Sequence, residues 1–69
     1  MTKYAFYVYN ITMKRTDFIK LLEKNGWWLE RDKGPHSVYT NGEDFEPVPR
    51  HKEIKEPLVK DIIKRRGLK

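Results

Sequence analysis

Two side chains of this chain suit proton transfer near neutral pH, His36 and His51, and there is no cysteine. His36 directly follows the basic turn Lys33-Gly34-Pro35, with Arg31 close before it. An imidazole, with an unperturbed pKa of about 6.5, can give or take a proton in this range. Neighbouring cations would stabilise negative charge developing on a reacting phosphorus. A single histidine is not two proton-transfer groups. The second could be His51, Lys33 or water, and the sequence leaves the choice open; on spacing alone His51 reads as a polar loop residue. Ser37 is adjacent to His36 on a strand, so the two side chains should point to opposite faces and not form a nucleophile–base pair. Metal chemistry is disfavoured, because two histidines far apart without cysteines do not match a zinc spacing. The carboxylates Glu43, Asp44 and Glu46 read as a solvated loop. No cofactor is expected.

The charge is unevenly placed. The chain has 69 residues with 15 Lys and Arg against 10 Asp and Glu, a net charge of +5. Residues 1–49 carry seven of each sign, whereas residues 50–69 carry eight basic and three acidic side chains. A basic surface favours phosphate-bearing partners, although a solvated helix face would look the same. A chain of this length makes one domain and buries only roughly 60% of its unfolded surface, so its stability should be marginal. No apolar run approaches a membrane span. Met1 to Thr12 has neither the aliphatic stretch nor the cleavage site of a signal peptide, and a cytoplasmic protein is the expectation.

The elements that must hold His36 are legible around it. Phe18, Leu21 and Leu22 recur at helical spacing, so a first helix is predicted from about Lys14 to Asn25, stopped by Asn25-Gly26. Trp27 to Asp32 reads as a strand, with Trp27, Leu29 and Arg31 on one face and Trp28, Glu30 and Asp32 on the other. One tryptophan should be buried and the other at the surface, where it could stack on a base or fill a partner's pocket, although an ordinary half-covered surface residue is the favoured reading. After the turn, His36 to Thr40 is the second strand. Asn41-Gly42 signals a hairpin. Phe45 to Val48 is a short edge strand limited by Pro47 and Pro49. Arg50-His51-Lys52 reads as a basic linker. A second helix starts near Lys55-Glu56, with Pro57 in its first turn, Leu58 and Ile62 with Val59 and Ile63 on its apolar face, and Gly67-Leu68 as its cap. Residues 1–12 fit either an edge strand or an extension ahead of an internal start at Met13. The fold class is therefore α+β, a three-stranded antiparallel sheet with two helices on one face, in the order α-β-β-β-α, with room for an extra N-terminal strand.

Several stretches then stand together in a familiar order. They are Phe18-Ile19-Lys20-Leu21-Leu22-Glu23-Lys24-Asn25-Gly26-Trp27, Arg31-Asp32-Lys33-Gly34-Pro35-His36, Val48-Pro49-Arg50-His51, and Ile54 to Leu68. From Met13 to Lys69 the sequence resembles the HicA family of bacterial toxins, with residues 1–12 outside the pattern. The resemblance implies a domain similar to the double-stranded-RNA-binding fold. It also implies a ribosome-independent mRNA endoribonuclease held inactive by a HicB-type antitoxin, meeting DNA only indirectly through the antitoxin complex. In the family, a histidine closing a Gly-Ser-His-like motif is associated with cleavage. Gly34 and His36 match it, and Pro35 departs from it.

Metal-free RNA cleavage requires the 2′-hydroxyl to attack its own phosphorus, with a base taking its proton and an acid assisting the leaving oxygen. His36 is the candidate base or acid, with Lys33 and Arg31 as electrostatic helpers. RNA binding would rest on Lys33, Arg31, Arg50, Lys52, Lys55 and the basic end of the second helix, through phosphate contacts that give affinity without reading sequence. A single-stranded substrate is expected, since its bases and 2′-hydroxyls are accessible. The alternative is a non-catalytic RNA-binding or protein-docking module of the same fold.

Overall fold

The first helix forms where the apolar spacing places it. The computed structural model describes residues 12–69, and α1 covers Arg15–Lys24. Phe18 and Leu22, one turn apart, are fully buried, and Ile19 and Leu21 flank them. Asn25 ends the helix, its side-chain amide donating to the Leu21 carbonyl at 2.8 Å. Gly26 then takes φ +83, and the Trp27 N–H returns to the Leu22 carbonyl at 3.0 Å. This glycine-assisted cap turns the chain sharply and drives the Trp27 ring into the core, 4% exposed.

Three strands follow: β2 (Trp28–Lys33), β3 (His36–Thr40) and β4 (Phe45–Pro49). They pair antiparallel in the order β2-β3-β4. The β2–β3 turn is Gly34-Pro35, with Gly34 at φ +58. A glycine at positive φ in the first central position is the type II′ arrangement, whose twist matches the flanking strands. The β3–β4 loop is built on Asn41, whose side-chain oxygen accepts from the N–H groups of Glu43 and Asp44. The second helix, α2 (Glu56–Arg66), has its proline in the first turn and ends at Gly67 in the left-handed conformation, with Leu68 buried beyond it. Val59 and Ile62 form its buried stripe, while Leu58 faces outward and is 38% exposed. Leu58 was expected on the apolar face; the helix meets the core one position further round.

Both helices cover one face of the sheet, where Tyr39 and Val48 join Phe18, Leu22, Trp27, Ile54, Val59, Ile62 and Leu68 in one core. The α+β fold expected from the sequence is thus the observed one, with an addition. Thr12–Lys14 (β1) pairs antiparallel with Glu53–Lys55 (β5), placing Met13 opposite Ile54. The two short strands lead directly into α1 and α2, so this ribbon sets where both helices start. Arg50-His51-Lys52 is irregular, as expected of a linker, and β5 follows it before α2. The expectation of an extension or edge strand in residues 1–12 lies outside the described residues except at Thr12.

Candidate active site on the open face of the sheet

The first long strand breaks the simple alternation expected for it. Trp28 pairs with Thr40 and Leu29 with Tyr39, but Arg31 pairs with Val38, so Glu30 is left over as a β-bulge. Two consecutive residues opposing one shift every later side chain to the other face. Arg31 therefore joins Trp28 and Lys33, not Leu29, and Asp32 lies with Leu29 on the helix side. The reading that grouped Leu29 with Arg31 is corrected by this one extra residue.

The consequence is a basic open face. On the side away from the helices lie Trp28, Arg31 and Lys33 from β2, His36, Val38 and Thr40 from β3, and Phe45, Pro47 and Pro49 from β4. His36 is exposed and stands directly between Lys33 and Pro49 in register. Arg31 sits on the same face beside Val38. The ladder positions of this face hold these three basic side chains and no carboxylate.

Arg50 works from the side. Its N–H donates to the Pro35 carbonyl at 3.0 Å, and its Nη1 donates to the Gly34 carbonyl at 3.2 Å. It thereby grips the turn that delivers His36, besides adding positive charge next to it. Lys52 and Lys55 are exposed on the loop before β5 and at its end. Lys55 reaches toward His36 more distantly: with His51 and Leu58 it lines a cavity of about 460 Å³ together with Pro49, the register partner of His36. The structure thus groups Arg31, Lys33, His36 and Arg50 around one turn, with Lys52 and Lys55 on the neighbouring ribbon.

Behind the sheet, Ser37 does face away from His36, as the alternation requires. It is 2% exposed, donates to Asp32 Oδ1 at 2.6 Å and accepts from Arg15 Nη2 at 2.7 Å. Arg15 also donates through Nε to the Pro49 carbonyl at 3.0 Å. This chain of charge-assisted bonds ties α1 to the three strands beneath the His36 end. Tyr39 lines the same region, and burial holds its phenol above the ordinary value of 10.0, opposed by Arg15 and reinforced by Glu23 and Asp32.

The basic end of α2 is differently employed. Glu46 is buried at 4%, not a solvated loop residue, and accepts from Arg66 Nε at 2.9 Å and Arg65 Nη1 at 3.2 Å. The Arg66 guanidinium also lies 5.4 Å from the Trp27 ring centroid. These arginines pin the helix to β4. The local sequence showed the charges but not their partner, which comes from a different strand. Arg15, Phe45 and the bulge at Glu30 likewise carried no local signal of their part in the site.

A family model described as the HicA toxin of bacterial toxin–antitoxin systems matches residues 15–68. No curated protein and no solved structure matches the chain.

Proposed function

The chain belongs to the HicA toxin family of bacterial toxin–antitoxin systems, and from that premise we propose that it is an mRNA endoribonuclease that cuts without metal, using His36. The observation that carries this reading is the placement of exposed His36 opposite Lys33, on a face whose other ladder charge is Arg31. In the reaction, the ribose 2′-oxygen attacks the adjacent phosphorus while its proton passes to a base. The bond from phosphorus to the 5′-oxygen breaks, and that oxygen takes a proton from an acid. The products are a 2′,3′-cyclic phosphate and a free 5′-hydroxyl. His36 serves one of the two proton transfers, and Lys33 and Arg31 stabilise the charge gathering on the phosphorane oxygens. Arg50 positions the histidine through the turn. Water, Lys33 or His51 completes the second transfer.

A toxin of this family is paired with an antitoxin partner. We assign that role to a HicB-type protein seated over the His36 face, so that occlusion keeps the enzyme silent. The test is incubation of the purified protein with single-stranded RNA in the presence of a chelator. Wild type should fragment the RNA, and a folded His36→Ala variant should leave it intact. RNA that survives both proteins, yet is bound with strong salt dependence, would instead establish a binding module that cuts nothing.

A further inference from the structure

We propose that the open face of the sheet carries a base-stacking platform, formed by Trp28 and Phe45, that holds single-stranded RNA alongside His36. This rests on the ribonuclease reading and adds how the substrate is gripped. The two aromatic residues flank Thr40 from opposite sides, Trp28 on β2 and Phe45 on β4. Trp28 is 51% and Phe45 56% exposed, which is unusual for two such large apolar groups on one face of a small sheet. Thr40 between them is buried although it faces away from the helices, its hydroxyl donating to the Asp44 carbonyl at 2.7 Å and accepting from the Gly42 N–H at 3.0 Å. The Trp28 ring leans over the β3–β4 loop, its Cη2 lying 3.5 Å from where a Gly42 Cβ would stand, so the loop supports it from one side and leaves the rest open.

Position and charge together select the occupant. His36 and Thr40 mark opposite ends of β3, about 13 Å apart for an extended strand. Between them, Arg31 and Lys33 line β2 on the same face. An aromatic platform beside a cationic track is the arrangement that fits an unpaired polynucleotide: phosphates meet the cations, and bases lie on rings that accept any base. An open sheet of this kind stacks roughly two or three bases. A duplex would keep its bases paired and offer nothing to these rings.

The probe is a short fluorescent oligouridine with 2′-O-methyl riboses, which cannot be cleaved, so binding is read apart from catalysis. Trp28→Ala and Phe45→Ala should each weaken its affinity about tenfold, as loss of one stacked base predicts. The slope of log affinity against log salt should not change, because no phosphate contact is lost. Trp28→Phe should retain most of the affinity, and Lys33→Ala should reduce the slope by about one. Thermal melts establish that each variant is folded. Unchanged affinity in the Trp28→Ala, Phe45→Ala double variant would overturn the platform, as would a wild type that does not bind the probe. So would a double variant that keeps its RNA affinity but loses the antitoxin complex, since the face would then be a protein seat. Failure of the cleavage reading shows separately, as unmodified RNA that His36→Ala cuts as fast as wild type.

Discussion

His36 contributes little to the fold and, on our reading, much to chemistry. Its side chain is exposed and makes no hydrogen bond or ion pair among the described residues. His36→Ala should therefore abolish RNA cleavage while changing stability by no more than about 0.5 kcal/mol, which paired activity and melting measurements would check. Tyr39 is the opposite kind of residue, buried and with its phenol held above 10.0, chiefly by desolvation. The folded protein therefore keeps the phenol proton more tightly than the unfolded chain. That contribution is fully present below pH 10 and is lost as pH rises through the folded value. Denaturant titrations across alkaline pH should show wild type losing stability relative to Tyr39→Phe above pH 10. At this scale the sequence was informative where a residue's type names its chemistry. His36 and Lys33 could be named as candidates directly, whereas which of the two tryptophans is exposed came only with the fold. The sequence was silent about Arg15 and offered Arg50 only as a phosphate contact, because Arg15's bond to Ser37 and Arg50's hold on the turn carbonyls join groups brought near only by folding.

Among the elements, those with their own punctuation were readable before any coordinates. Asn25-Gly26, Asn41-Gly42, Pro57 and Gly67 end or start elements through local backbone chemistry, and each does so in the structure. The bulge was not readable, since strict alternation assumes that opposite strands match residue for residue. The three-residue β1–β5 ribbon was hidden for a related reason: so short a pair exists only through its distant partner. The grip of Arg65 and Arg66 on Glu46 is likewise long-range, and it makes α2 dependent on β4. Glu46→Ala should release the C-terminal end of α2 and cost roughly 2 kcal/mol, the scale of a charge-assisted hydrogen bond lost from a buried acceptor. For a domain of this size the melting temperature would fall by about 8–16 °C. Circular dichroism would detect this, and RNA affinity should survive at temperatures where the variant is folded.

Taken as a whole, the molecule separates its two duties by face. One side of the sheet is packed against both helices and contains the core; the other is open and lined by cations and aromatics. A ligand that binds only the folded form must raise the melting temperature, by about 2.7 kcal/mol of stability at a hundredfold excess over its dissociation constant. Co-purified antitoxin should show this gain and, if it sits on the open face, protect Trp28 from aqueous quenchers of fluorescence. A stabilised complex in which that tryptophan stays fully quenchable would move the partner to another surface. The surplus residue between Leu29 and Arg31 also bears on how the gene can shorten. Dropping codon 30 or codon 31 should leave an identical backbone with unbroken alternation, yet the first loss spares the guanidinium while the second hands its place to a carboxylate. Two in-frame deletions that look alike by melting would thus part company over nucleic acid, one remaining hospitable to a polyanion and the other turning it away.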